Sequence, residues 1–428
     1  MEKQERHSGE EWDTDLETED PQNRRQSLSR AELYLKACQQ TGTSPVSSFL
    51  SHLGEAHLNL NYYGLGPLGA KALAIALQCD NDTTNLELEH NGLQAEGVRY
   101  LMKMLQRNTT ICSLNLSSNQ LHLEGANIIS QRLVDNYYIQ SIKLSGNDFD
   151  DSAAKCFAEA LSSDYVLKNL DLSYNKICDK GGKYLGDMIA TNIGIQVLNL
   201  SWNSISACGA VALSDGLKVN STLKELQLSY NNFGYMEAKS LGQALKKNCT
   251  LVLLDLSSNN MDDQAVTLLC EGLASNNTLS ILKFASNPMT DSGALTLLTT
   301  FKNNINSALE MIDISSVYVY ENFLELLEQV HQKSPALTVR YRVLDSVIRN
   351  LSALDVFMRF LKERNETIMD FFQALDKEGV MEVSTLAFMK AVKAAEIPLD
   401  QGQLIWLVKK FDKKCTAKIL YSHLAQLS

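Results

Sequence analysis

One spacing governs this chain. Leu58, Leu86, Leu114, Ile142, Leu170, Leu198, Leu226, Leu254 and Leu282 follow one another at a constant 28 residues. Two residues after each comes Leu60, Leu88, Leu116, Leu144, Leu172, Leu200, Leu228, Leu256 and Phe284. Five residues after each stands Tyr63, then Asn91, Asn119, Asn147, Asn175, Asn203, Asn231, Asn259 and Asn287. An unslipped period of this length commits the chain to a linear array of one structural unit, each copy burying its apolar face against its neighbours.

The alternation within each unit, as in Leu170-Asp171-Leu172, is that of a short strand with one buried face. Stacked units set these strands side by side and all running one way, a parallel sheet with neighbours ~4.8 Å apart. The repeat asparagine sits where the chain leaves the strand, and its amide can satisfy backbone groups of the turn and of the next unit. The second half of the unit has helical spacing: Gly181, Leu185 and Ile189, and again Gly209, Leu213 and Leu217, lie four apart. A small first residue there lets the helix approach the sheet. Helices are wider than strands, so the stack is expected to curve with its strands on the concave side.

These residues resemble the leucine-rich repeat of the ribonuclease-inhibitor type, over roughly residues 55–305. The resemblance implies an α/β horseshoe solenoid, parallel strands concave and helices convex, and is silent on function. The stretch from Glu32-Leu33-Tyr34-Leu35-Lys36 through Pro45-Val46-Ser47 to Gly64-Leu65-Gly66-Pro67-Leu68-Gly69-Ala70-Lys71 is also similar to a family of leucine-rich-repeat-containing proteins that has no activity to carry over.

The expected organisation is a disordered acidic arm (1–29), an N-terminal cap (30–57), nine repeats (58–306), a divergent last unit and cap (307–345) and a small helical module (346–428). Ser29 with Glu32 fits a helix capping box, and Leu33, Leu35, Phe49, Leu50 and Leu53 can close the first repeat. At the far end Ile312 and Ile314 lie 30 residues beyond the ninth pair, Val317 replaces the asparagine, and Leu324, Leu327 and Val330 continue as a helix.

Past residue 350 the period is lost. Asp376 and Asp412 are 36 apart, as are Val383 and Ile419, with Phe372 and Leu375 before one loop and Val408 and Phe411 before the other. This frame resembles a paired EF-hand module, an all-α unit whose eighth loop residues bridge the two loops. The ligands do not follow. A calcium loop needs oxygen donors at positions 1, 3, 5, 9 and 12 and glycine at 6. The first loop keeps Asp376, Glu378 and Ser384 only, and the second carries Lys414, Leu420 and His423 at positions 3, 9 and 12. No calcium is expected, and the module reads as a packed accessory.

Composition narrows the function classes. Net charge is −11, with 24 acids against 17 bases in residues 54–301, which disfavours nucleic acid and anionic membranes and favours a basic partner. No apolar run approaches the ~20 residues of a membrane span. The N-terminus is charged, so neither a secretory signal nor a transit peptide is expected. Nine scattered cysteines without a CxxC pair suit free thiols in a reducing, cytoplasmic setting. His7, His52, His57, His90, His122, His331 and His423 show no metal-ligand spacing, and no nucleophile elbow is present. Gly64-Leu65-Gly66-Pro67-Leu68-Gly69 matches the dinucleotide fingerprint, with Glu87 and Glu89 beyond it. Leu65 and Gly69 are, however, repeat positions equivalent to Leu93 and Gly97. No cofactor is expected, and the chain is read as no enzyme. Arg24-Arg25-Gln26-Ser27 resembles a basophilic kinase site, with Ser27 as acceptor.

What remains is a surface. Between the strand leucines stand Asn59, Glu87, Asn115, Lys143, Asp171, Asn199, Gln227, Asp255 and Lys283, with no stripe of one sign. Before the asparagine, Tyr174, Trp202 and Tyr230 occupy three consecutive repeats, and Asp171, Asn199 and Gln227 lie on the same strands. Such a row reads either as an interface hot spot or as a self-stacking ladder that stiffens the lip of the sheet. The six serines Ser117, Ser145, Ser173, Ser201, Ser229 and Ser257 read as small residues relieving crowding. The expected function is a protein–protein interaction scaffold binding on its concave face. The alternatives are a GTPase-activating protein, for which Arg99, Arg107 and Arg132 fall on the helical side, and a ribonuclease-inhibitor-like inhibitor of a basic protein.

Overall fold

The computed structural model describes residues 29–427. They form two compact units. The first runs up to Val317 and adds Val330–Arg340; the second takes Tyr318–Gln329 and the chain from Tyr341 onward.

Nine three-residue strands open the sheet: β1 (His57–Asn59), β2 (Asn85–Glu87), β3 (Ser113–Asn115), β4 (Ser141–Lys143), β5 (Asn169–Asp171), β6 (Val197–Asn199), β7 (Glu225–Gln227), β8 (Leu253–Asp255) and β9 (Ile281–Lys283). The longer β10 (Met311–Val319) and β11 (Thr338–Val343) complete it, in chain order from β1 to β11. Leu58 pairs with Leu86 in parallel, and the register runs on through Leu114, Ile142, Leu170, Leu198, Leu226, Leu254 and Leu282 to Ile312. The two-residue lengthening before β10 is therefore absorbed in the loop. Val317, where the asparagine would stand, is buried, and with no turn to make, the strand continues to Val319.

The helices are α1 (Arg30–Thr41), α2 (Ser47–Ser51), α3 (Gly66–Leu77), α4 (Gln94–Met104), α5 (His122–Val134), α6 (Asp151–Leu161), α7 (Asp179–Thr191), α8 (Ala207–Val219), α9 (Tyr235–Leu245), α10 (Asp263–Leu273), α11 (Asp291–Asn303) and α12 (Glu321–Lys333). From α3 to α11 each follows its strand, and from α3 to α10 each packs on the next helix. The first unit is thus a strand layer and a helix layer with leucines between them, Leu60, Leu88, Leu116, Leu144 and Leu172 being fully buried.

The N-terminal capping box forms as read from Ser29 and Glu32. Its helix is phased differently from expectation. Tyr34, Ala37 and Cys38 are buried and Leu35 is 43% exposed, because residues three and four apart share the face that meets Phe49. The Tyr34 and Phe49 rings are 4.4 Å apart. Arg30 ties this cap to Asp80 and Asp82.

Two ladders of amides hold successive units together. In the first, Asn119 Nδ2 donates to Leu88 O (2.9 Å) and Ser117 O (3.0 Å), while its Oδ1 accepts from Asn91 N (2.9 Å). The same pattern carries Asn91, Asn147, Asn175, Asn203, Asn231, Asn259 and Asn287. The partner unit is the preceding one, not the next, because the chain turns back toward the strand already laid down. The second ladder, at Asp80, Asn108, Asn136, Asp164, Asn192, Asn220, Asn248, Asn276 and Asn304, also has period 28 and lies beyond the helix C-termini. There Asn220 Nδ2 donates to Ile189 O (2.8 Å) and Asn192 O (3.1 Å), and its Oδ1 accepts from Leu223 N (2.7 Å). The pattern breaks at three sites, the first being Asp80, whose carboxylate only accepts and pairs with Arg30. Asn136 Nδ2 turns to Ile139 O, and Arg132 supplies the donor to Leu105 O instead. Asp164 Oδ1 accepts from Val166 N and Leu167 N, and Oδ2 is buried without a hydrogen-bond partner.

In the helix layer, glycines let backbones touch. A Cβ on Gly186 would lie 2.4 Å from the Ala212 carbonyl carbon, and one on Gly209 2.8 Å from Asp179 O. The glycine that opens the helical pattern thus serves helix-to-helix approach rather than approach to the sheet, the expected role.

The second unit contains α13 (Asp345–Glu363), α14 (Ile368–Leu375), α15 (Thr385–Ala394) and α16 (Gln401–Phe411). They pack around Phe357, Phe372, Phe388, Phe411 and Tyr421. It is not purely helical: β12 (Glu382–Ser384) and β13 (Lys418–Leu420) pair antiparallel with Val383 opposite Ile419. Within this unit Glu321 accepts from Trp406 Nε1, and Glu325 pairs with Lys410 at 2.9 Å.

Candidate functional site

The residue before each repeat asparagine must leave the strand sharply. Its φ is positive in nine consecutive units: 65° at Tyr62, 55° at His90, 56° at Ser118, 66° at Gly146, 54° at Tyr174, 55° at Trp202, 53° at Tyr230, 55° at Ser258 and 59° at Ser286. The ladder enforces this. Tyr174 N donates to Ser201 O (2.9 Å), Trp202 N to Ser229 O (2.8 Å) and Tyr230 N to Ser257 O (3.0 Å). A left-handed conformation costs an L-residue about 1–2 kcal/mol, and bulky residues are rare there. Glycine and serine fill the position in the units on either side. Three large aromatics at consecutive strained turns are not what the turn requires, and strain of this kind clusters at functional sites.

The three rings form one stack. Tyr174 and Trp202 have centroids 4.9 Å apart and Trp202 and Tyr230 3.7 Å apart, each pair inclined by 13°. Trp202 is covered on both faces. The stack nevertheless faces solvent, with Tyr174 56%, Trp202 41% and Tyr230 45% exposed. The two sequence readings are therefore compatible: stacking fixes the rings in place and leaves their edges and outer faces accessible. Tyr62 and His90 make a second, smaller pair at 5.3 Å.

The residues between the strand leucines are half-buried across β5 to β9, on the sheet face opposite the core. Several have a structural task. Asp171 Oδ1 accepts from Ser173 N (2.8 Å), Asn199 Oδ1 from Ser201 N (3.0 Å) and Asp255 Oδ1 from Ser257 N (3.0 Å), each closing its own turn. Gln227 lies in the same register between Asn199 and Asp255. Charges are locally balanced: Lys143 pairs with Glu87, Lys283 with Asp255 and Arg340 with Asp313, all at 3.7 Å. Asp171 has no ion-pair partner among the described residues. Ser173 Oγ donates to Ser145 Oγ (3.1 Å), so the small serines also link units.

Leu253, Ile281 and Met311, the position before the first strand leucine, lie in register on β8, β9 and β10 and are half-exposed. Sequence reasoning named the positions between the leucines and before the asparagine and left this apolar stripe out, although three apolar residues at repeat spacing signal it.

Other candidates are absorbed by the fold. In the glycine-rich stretch, Tyr63 N and Leu65 N donate to Asn91 Oδ1 and Gly66 N to Asn91 O, so amides that a phosphate would need are already used. Arg107 donates to Gln78 Oε1 (3.2 Å), Arg99 pairs with Glu124 (2.7 Å) and Arg132 binds Leu105 O, all in the helix layer. In the second unit, Asp376 accepts from Gly379 N (2.9 Å), Met381 N (2.7 Å) and Tyr421 Oη (2.9 Å). Desolvation opposes ionisation of Asp376, but these donors outweigh it and hold the carboxyl below its usual range. Asp412 is held low by Thr416 N and neighbouring amides. The sixth loop positions, Met381 and Ala417, keep positive φ of 61° and 60° without glycine. The Asp376 carboxylate is thus turned to the protein's own donors. Among the described residues no cluster of three or more His, Cys, Asp or Glu is placed to hold a metal. No helix there is long and apolar enough to cross a membrane. Ser27 lies outside the described residues.

Comparison with known proteins agrees with the repeat. Residues 107–127, 166–186, 192–214, 219–235, 247–270 and 275–298 match the family model described as leucine rich repeat. The chain is 46% identical over 66 residues to leucine-rich repeat-containing protein 74B of Homo sapiens, covering 15% of this chain and 17% of that protein. It is 49% identical over 47 residues to the protein of the same name from Mus musculus, covering 11% and 12%. The matched segments thus span less than a fifth of those relatives. Among solved structures, the leucine-rich repeat domain of APL1B is 17% identical with a TM-score of 0.38, covering 69% of this chain and 72% of that one. Leiomodin-1 actin-binding site 2 is 24% identical with a TM-score of 0.30, covering 33% and 86%.

Proposed function

We propose that this chain, whose repeats match the leucine rich repeat model, is a non-enzymatic interaction scaffold whose strand face grips another protein. The observation that carries the reading is the row Tyr174, Trp202 and Tyr230: three bulky rings at left-handed turns where serine or glycine would serve, stacked yet exposed. Large aromatics held in place lose little entropy on binding, and they dominate interface energies. Helices are wider than strands, so the strand face forms the concave wall of a ribonuclease-inhibitor-type coil. Asp171, Asn199 and Gln227 and the stripe Leu253, Ile281 and Met311 extend the contact along it. The acidic balance of the repeats favours a basic partner in the cytoplasm. The finer kinship of the segment Glu32 to Lys71 is with leucine-rich repeat-containing protein 74A. The second unit is a degenerate EF-hand pair that has exchanged calcium for internal hydrogen bonds and serves as an accessory. Ser27 is a candidate phosphorylation site.

Affinity capture from cell extract tests the site. Trp202→Ala and Tyr230→Ala should each lose the proteins retained by the intact chain, while Lys239→Ala on α9 keeps them. Unchanged recovery by both aromatic variants would refute the aromatic row.

A further inference from the structure

We propose that the open end of the aromatic row receives an arginine side chain from a basic segment of the partner. This deepens the reading above and rests on it. A stack has only two free faces, because Trp202 is covered by Tyr174 and Tyr230. At the Tyr230 end the next turn carries Ser258, and the neighbouring acid, Asp255, is already paired with Lys283. At the Tyr174 end the next turn carries Gly146, with no side chain. A Cβ there would stand 3.0 Å from Ser118 Oγ, and the one ring stacked on Tyr174 among the described residues is that of Trp202. Tyr174 is accordingly the most exposed ring of the row, at 56%.

The charges at this end select the guest. Asp171 precedes Tyr174 by three residues and spends one oxygen on Ser173 N. Its register neighbour Lys143 pairs with Glu87 instead. Asp148, beyond the row, is engaged by Lys176 at 2.6 Å and faces His122 at 3.9 Å. Asp171 is thus the acid on β5 that lacks a cation among the described residues, three positions before the residue that carries the open ring. A planar guanidinium satisfies both: it stacks on the ring and presents N–H donors in a fork to the carboxylate. A lysine ammonium is compact and strongly hydrated and matches only the charge. A net charge of −11 on the chain supplies the long-range attraction for a basic segment.

The experiment uses the full chain with two probes of equal charge, a short glycine–arginine peptide and its glycine–lysine counterpart. Calorimetry reads binding, and a tryptophan fluorescence change that is lost in Trp202→Phe reads proximity. The arginine peptide should bind about two- to five-fold more tightly than the lysine peptide, the range of an exposed cation–π contact. Tyr174→Leu, which keeps the Trp202 face covered but offers no π face, should abolish that preference. Asp171→Asn keeps the turn acceptor, as Asn199 does in the next unit, and should weaken both peptides and flatten their salt dependence. Gly146→Asn, tolerated at positive φ, should block the slot. Equal binding of the two peptides, or an arginine preference that survives Tyr174→Leu, overturns the proposal. If those results accompany loss of partner capture by Trp202→Ala and Tyr230→Ala, only the arginine assignment falls. If capture is also unaffected, the strand-face reading falls with it.

Discussion

Replacing Asp164 by asparagine should make the protein more stable. At Asn108, Asn192, Asn220, Asn248, Asn276 and Asn304 the side-chain amide donates to two carbonyls of the preceding unit, at 2.6–3.2 Å. At Asp164 an oxygen replaces that amide nitrogen, and Oδ2 is buried with no partner. An intramolecular hydrogen bond adds about 0.5–1.5 kcal/mol, and an unsatisfied buried polar atom costs about 1–3 kcal/mol. Asp164→Asn removes the second and adds up to two of the first, so a gain of about 1–6 kcal/mol is expected. The reverse change, Asn220→Asp, should lose a similar amount. Urea unfolding, followed by the shift in midpoint at constant slope, measures both. Repeat arrays can unfold in parts, so amide exchange in α5 and α6 should show the gain locally. A neutral Asp164→Asn beside a costly Asn220→Asp would refute the argument that the aspartate is a flaw in the ladder.

Other expectations follow from single contacts. Gly186→Ala drives a Cβ to 2.4 Å from the Ala212 backbone and should destabilise by about 3 kcal/mol or more, read as a fall in Tm. Ala417→Gly relieves a left-handed alanine at φ 60° and should stabilise the second unit by about 0.5–1 kcal/mol, with millimolar calcium leaving Tm unchanged in either form. Burial pushes the Tyr34 hydroxyl up to about 12. The folded state therefore favours its neutral form, and stability should hold below the ordinary value of about 10 and fall as pH climbs from there toward 12. Faster amide exchange in α1 over that window would report it. Burial likewise pushes the Cys270 thiol up to about 11, so native alkylation should spare Cys270 while labelling exposed Cys79, Cys178 and Cys249.

The sheet was readable because one number, the 28-residue spacing, fixes both register and direction; Leu58 opposite Leu86 needs no further information. Other features needed the backbone. Positive φ at Trp202 arises from a turn shared by the nine short-strand units, and no residue type marks it, since serine, glycine, histidine, tyrosine and tryptophan all occur there. The second asparagine ladder has the same period as the first. It escaped notice because asparagine in a polar loop is unremarkable until its carbonyl partners are located. The phase of α1 was misjudged at Leu35 because a single cap helix has no neighbouring copy to set its buried face. At Gly209 the sequence showed that something must come close, and only the coordinates showed it to be the backbone of α7.

The account stands on which wall of the repeat meets the partner, and a photoreactive residue reports that contact directly. Placed at Gln227 on the strand face, it should yield a covalent adduct in cells, and the same group at Lys239 on the exposed side of α9 should yield none. Adducts from position 239 with none from 227 would contradict the account.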